Sequence, residues 1–166
     1  MNIINRVCLY CVIVVVGCNE AGNKYAGDIQ TEHKFIDSIQ LKDLQGRRTN
    51  LNEFKGKTIF INFWATWCKP CIAEMPSIAK AQSRLTNKNV VFLMASNETA
   101  NEIETFKRSG GYDFKYVRIE NGEEIGIQAL PTTFIFDSEG NLIFSEAGMR
   151  DWNEESNLNL ILKNTK

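Results

Sequence analysis

The sequence predicts an α/β domain, with a mixed central β-sheet flanked by helices on both faces. Three observations lead there. Thr58 to Trp64 is rich in β-branched and aromatic residues and nearly free of charge, as a strand buried on both faces must be. Val90 to Ser96 is a second run of the same kind, separated from the first by a helix-length stretch. Thr132 to Phe136 and Asn141 to Ser145 flank Asp137-Ser138-Glu139-Gly140, a hairpin signal. The order βαβα, then a hairpin and a closing helix, fits a mixed sheet covered by helices.

Element by element, the domain is expected to start at Phe35. Ser38 to Leu41 alternates like an edge strand. Asp43 to Gly46 makes a turn and Arg47 to Thr49 the return strand, giving an N-terminal β-hairpin extension. Asn50-Leu51-Asn52-Glu53 reads as a capped helical turn closed by Gly56. The helix behind the first buried strand runs from Lys69 to Leu85, with Pro76 inside it as a kink. Thr99-Ala100-Asn101-Glu102 is a capping-box pattern that opens a helix ending before Gly110-Gly111. Tyr116 to Ile119 is a short strand, and Glu123 to Gln128 a short helical segment. Trp152 to Lys163 closes the chain as an amphipathic helix, with Leu158, Ile161 and Leu162 at helical spacing.

The chemistry sits directly behind the first buried strand, in Trp67-Cys68-Lys69-Pro70-Cys71. Two thiols stand where a strand ends and a helix begins. Unpaired N–H groups and the partial positive charge of a helix N-terminus favour thiolate over thiol. Cys68 is therefore the expected nucleophile, and Cys71, one turn further in, can close a disulfide with it: a dithiol redox site. Zinc sites use the same spacing but need four ligands. The only other CxxC, Cys8-Leu9-Tyr10-Cys11, lies in the N-terminal apolar stretch, and the single histidine, His33, lies far upstream, so no metal is expected. A structural disulfide would gain little from so small a loop.

Five cysteines are present. Cys8 and Cys11 lie in the apolar stretch Val7 to Val16, too short for a membrane span of about 20 residues and suited to a secretory signal. The run Val15-Val16-Gly17-Cys18 resembles the bacterial lipoprotein signal motif. That resemblance implies a signal peptide over residues 1–17, a lipid on Cys18 and a polar tether over 18–34. An uncleaved signal anchor is the alternative. Either way the domain, residues 35–166, faces outward from a bacterial membrane, in a compartment compatible with disulfides. Inner and outer membrane both remain open. Lys and Arg number 19 against 20 Asp and Glu, with no basic stripe, so nucleic acid is not an expected partner.

Asn62-Phe63-Trp64-Ala65-Thr66-Trp67-Cys68-Lys69-Pro70-Cys71-Ile72-Ala73-Glu74-Met75-Pro76 resembles the membrane-tethered thioredoxin-like oxidoreductases of the TlpA/ResA type, whose pattern is NFWATWCxPCxxExP. Leu130-Pro131-Thr132-Thr133-Phe134 resembles that family's cis-proline loop. The resemblance implies a thioredoxin-like fold, Cys68 attacking and Cys71 resolving, with Cys68–Cys71 as the redox disulfide. It also implies a cis Pro131 that leaves nearby backbone able to pair with an extended substrate; a plain turn proline is the other reading. Glu74 matches the subgroup's acidic position. It either relays protons and tunes the thiols or complements the helix dipole. Asn62 stands where ordinary thioredoxins carry a buried aspartate. Trp67 and Leu130 join Pro131 as expected substrate contacts, and Trp64 either shields the pair or is core.

The expected activity is thiol–disulfide exchange without a cofactor, reducing extracytoplasmic protein disulfides. Apocytochrome c is one candidate client, a membrane protein the electron donor, and the chain a monomer. A peroxiredoxin would need Pro and Thr where Ile61 and Ala65 stand. A copper carrier would want a longer Cys spacing and a downstream histidine. A non-catalytic binding domain of a surface lipoprotein is the alternative of a different class.

Overall fold

The computed structural model describes residues 34–110 and 112–163. The expected signal peptide, almost all of the tether, the lipid site Cys18, and Cys8, Cys11 and His33 lie outside the described residues. The strands are β1 (Leu41–Lys42), β2 (Arg48–Thr49), β3 (Thr58–Phe63), β4 (Val90–Ser96), β5 (Lys115–Ile119), β6 (Thr132–Phe136) and β7 (Leu142–Ala147). The helices are α1 (Phe35–Ser38), α2 (Lys69–Arg84), α3 (Ala100–Gly110) and α4 (Glu155–Leu162), with a 3-10 turn at Leu51–Phe54.

The strands form one sheet in the order β2-β1-β5-β4-β3-β6-β7. β3, β4 and β5 run parallel, and the remaining pairs are antiparallel. Every residue of β3 is buried, as its lack of charge requires. The strand pleat sorts its side chains by a period of two. Phe60 and Trp64 enter one core with Met75 and Ile78 of α2, Ile103 of α3, and Leu158 and Ile161 of α4. Ile59, Ile61 and Phe63 enter the other, with Ile36 of α1, Leu51 of the 3-10 turn, and Ile125. The long helices share one face for a topological reason. The β3-α2-β4 and β4-α3-β5 crossovers advance in the same direction, and right-handed connections then place both helices on one side.

Trp152, which follows β7, anchors that face. It is fully buried and meets Phe60 edge to face at 4.8 Å and Phe144 at 5.8 Å between ring centroids. Removing ~200 Å² of such a side chain from water stabilises by roughly 5 kcal/mol at ~25 cal/mol per Å². The local signals are also met. The Glu102 carboxylate accepts from the Thr99 N–H at 2.8 Å, and the Thr99 hydroxyl accepts from the Glu102 N–H at 3.3 Å, the reciprocal capping expected of that pattern. Asn50 caps the 3-10 turn through the Asn52 N–H at 3.0 Å. Asp137 accepts from the Glu139 and Asn141 N–H groups, both at 2.9 Å, and so closes the β6-β7 hairpin.

Four expectations need correction. Ser38 to Leu41 is not a strand. Lys34 to Ser38 folds into a helical turn, the Lys34 N–H donating to the Asp37 carboxylate at 3.1 Å, and only Leu41–Lys42 pairs in the sheet. Glu123 to Gln128 is a series of turns, interrupted by Gly126 at a φ of 86°, where helical hydrogen bonding cannot continue. The closing helix starts at Glu155, three residues after Trp152, because Asp151 instead holds a turn that receives the Glu154 N–H at 3.2 Å. α3 includes Gly110 rather than ending before it.

Candidate functional site

β3 ends at Phe63, and the Trp64 N–H still donates to the Ala95 carbonyl of β4 at 3.0 Å. The chain then turns through Ala65-Thr66-Trp67, with the Cys68 N–H donating to the Ala65 carbonyl at 3.1 Å. Cys68 is the N-cap of α2. Pro70 fits the first turn, where a missing N–H costs no helical bond. Cys68 and Cys71 are joined by a disulfide, with Cα atoms 5.3 Å apart. The Cys71 N–H donates to the Cys68 sulfur at 3.3 Å. Cys68 is 4% exposed and Cys71 fully enclosed, so the first sulfur is the one nearer the surface. Pro76 lies inside α2 and cannot donate to the Ile72 carbonyl one turn earlier.

Glu74 follows Cys71 by three residues on α2, spacing that places neighbours on one helix face. It is not in the first turn of α2, which removes the helix-dipole reading, and it is 2% exposed. One carboxylate oxygen accepts from the Asn62 amide of β3 at 2.5 Å. The other accepts from the Arg150 backbone N–H, after β7, at 2.9 Å. Asn62 also donates to the Thr133 hydroxyl at 3.0 Å. The β3 pleat explains the meeting: Asn62 points to the same side as Phe60 and Trp64, where α2 packs. Burial pushes the Glu74 carboxyl above its ordinary value. The Arg150 N–H, the Asn62 amide and the nearby Trp152 indole oppose that rise. The Trp152 indole N–H and the Asn62 carbonyl oxygen are buried without a normal hydrogen-bond partner, so the cluster is only partly satisfied.

Sequence reasoning missed two residues. Glu98 stands in none of the motifs read from the sequence, yet its carboxylate ties down the turn before Cys68. It accepts from the Thr66 N–H at 2.8 Å, the Thr66 hydroxyl at 2.5 Å and the Ser96 hydroxyl at 2.9 Å. The available signal was its place just past the C-terminal end of a parallel strand, where sites in such sheets collect. The other is Met149, 57% exposed between two anchored neighbours. The Gly148 N–H donates to the Pro131 carbonyl at 2.8 Å, and the Arg150 N–H reaches Glu74. Trp67 is 70% exposed. The Leu130–Pro131 peptide bond is cis, as the motif resemblance implied, and Pro131 is buried. Trp67 and half-buried Leu130 line one cleft of about 550 Å³. Trp64 is core: it is 1% exposed and packs on Phe106 and Tyr116.

The Redoxin family profile matches residues 24–162. The chain belongs to the Redoxin family. A thiol-disulfide oxidoreductase ResA of Bacillus thuringiensis subsp. konkukian (strain 97-27) is 34% identical over 151 residues, covering 84% of this chain and 86% of that one. The ResA of Bacillus subtilis (strain 168) is 32% identical over 107 residues, covering 62% and 60%. Among solved structures, a putative thiol-disulfide oxidoreductase from Bacteroides vulgatus aligns with a TM-score of 0.65 at 27% identity, covering 75% of this chain and 90% of that one. A putative thiol:disulfide interchange protein DsbE from Chlorobium tepidum aligns at 0.68 with 20% identity, covering 77% and 94%, and supports the fold. This Redoxin is of the ResA/TlpA type, is thioredoxin-like in fold, and is a thiol–disulfide oxidoreductase.

The Glu74 carboxyl gives this Redoxin a pH signature. A raised folded-state pKa means that the folded protein holds the proton more tightly than the unfolded chain. The resulting stability is fully present below the ordinary glutamate value of 4.5 and is lost as pH rises through the raised value. Urea unfolding of wild type and Glu74→Gln from pH 4.5 to about pH 8 measures it. Wild type should lose stability relative to the variant across that window. A constant difference would mean that Glu74 titrates as an ordinary carboxyl.

Proposed function

We propose that this oxidoreductase reduces disulfides of extracytoplasmic proteins from a lipid anchor at Cys18. The observation that carries the reading is Cys68 capping α2 with the Cys71 N–H on its sulfur. In the reduced protein that N–H and the helix end would stabilise a Cys68 thiolate. The thiolate attacks a client disulfide. One client sulfur leaves as thiolate and takes up a proton, and a mixed disulfide forms. Cys71 then gives up its proton and attacks the Cys68 sulfur, releasing the second client thiol and closing the Cys68–Cys71 disulfide. Two electrons pass to the client, and a membrane dithiol donor restores them. Glu74, raised in pKa and three residues from Cys71, is the proton acceptor for the second step.

Trp67, Leu130 and Pro131 would hold the client as an extended strand, since main-chain pairing tolerates many sequences. Met149 adds apolar surface beside that loop. Apocytochrome c is one client of this description. The Val-Val-Gly-Cys run supports a signal peptide over residues 1–17 and a tether before the domain.

Cys71→Ser should accumulate mixed disulfides with clients in cells, and Cys68→Ser should not, as non-reducing gels would reveal. Equal trapping by both variants, or trapping by the Cys68 variant alone, would overturn the assignment. Cys18→Ala should lose the lipid and the cleavage before residue 18. An unmodified Cys18 in wild-type chains that still begin at Met1, seen by mass spectrometry, would instead support an uncleaved anchor.

A further inference from the structure

The cleft that begins at Trp67 and Leu130 continues away from the disulfide, along the C-terminal ends of β3, β4 and β5. Its volume of about 550 Å³ is in the range of sites that take a side chain or small ligand. Phe63, Ile119 and Ile127 contribute apolar wall. The charged residues of the lining are Glu120, Glu123 and Glu124, with no lysine, arginine or histidine among them. Glu120 is matched: its carboxylate bonds Lys42 at 2.7 Å and lies 3.4 Å from Arg118. Glu123 and Glu124 are exposed and enter none of the ion pairs of the described residues. Gly126, at a φ of 86°, turns the chain back below them, and the Ile127 N–H donates to the Gly122 carbonyl at 2.9 Å. The two carboxylates are thus carried on a closed turn beside the redox site.

We propose that this cleft selects clients with a lysine or arginine within a few residues of the reacting cysteine. The proposal rests on the reductase reading above and adds its substrate class. A client strand lying across Leu130-Pro131 places the residues flanking its cysteine over the cleft. The stem of a lysine or arginine can lie on the apolar wall while its charge meets Glu123 and Glu124. Complementary surface charge of this kind acts mainly on encounter and specificity. It is screened over about 8 Å at physiological salt, so salt should erase the selection.

The test uses the reduced full-length chain and a set of synthetic peptides. Each peptide carries one internal disulfide and differs only in having Lys, Gln or Glu two residues from a cysteine. A small neutral disulfide is the control for the exchange activity itself. At low salt the Lys peptide should be reduced about tenfold faster than the Glu peptide, with Gln between, an effect at the low end of what electrostatic steering into a charged cleft produces. The Lys-to-Glu rate ratio should fall towards one in high salt. It should fall likewise in a Glu123→Gln, Glu124→Gln variant, and the ratio is insensitive to any general loss of activity there. Equal peptide rates on wild type with the small disulfide still reduced, or a ratio unchanged in the variant, would overturn the proposal. If the small disulfide is not reduced either, the reductase reading itself fails.

Discussion

The Glu74 carboxylate is the point on which the site depends. It joins three parts of the chain that are remote in sequence: Asn62 near the C-terminal end of β3, α2 itself, and the Arg150 backbone beyond β7. A buried carboxylate is costly unless donors surround it, the penalty being several kcal/mol per ion after relaxation. Two strong donors therefore fix its position, and with it the rotation of α2 about its axis. That rotation aims Cys71 inward and leaves Cys68 at the cap. The same donors only partly offset burial, so the carboxyl stays easier to protonate than usual. A group in that condition can hold or pass a proton, which thiol exchange requires.

Sheet topology does the remaining positioning. β3 is enclosed on both faces and paired on both edges, so its C-terminal end is a rigid platform. The turn from that platform into α2 is only a few residues long, and the Glu98 carboxylate holds it from the adjacent strand. Gly148 and Arg150 are tied to Pro131 and Glu74 respectively, so the segment after β7 lies beside the cis-proline loop. Trp67 and Met149 project from these anchored stretches, and their exposed apolar surface is supported by fixed backbone on both sides.

Much of this was legible in the sequence because local signals and burial agreed. Thr58 to Trp64 could only be an enclosed strand, and the CxxC behind it marked the helix start. The Thr99–Glu102 pair and the Asp137–Gly140 turn were likewise readable, since their partners are close in the chain. The failures lie where tertiary contacts overrode a weak local pattern. Ile39 and Leu41 alternate as strand residues do, yet Ile36 is buried with them, because Phe35 to Ser38 turns helically over the sheet. Glu98 could not be recognised from its neighbours, as its main partner, Thr66, lies 32 residues away. Glu74 was legible as a motif residue, but its burial was not. That burial depends on Asn62 and Arg150, whose approach only the folded sheet specifies.

The central claim is that Cys68 is the reactive thiol and that the buried Glu74 charge bears on it. Alkylation of the reduced protein by a limiting reagent, followed against pH and mapped by mass spectrometry, tests both halves at once. The account predicts modification at Cys68 before Cys71. It also predicts that Glu74→Gln shifts the Cys68 curve to lower pH, because a nearby negative charge no longer opposes the thiolate. Modification of Cys71 first, or superimposable Cys68 curves for wild type and Glu74→Gln, would contradict it.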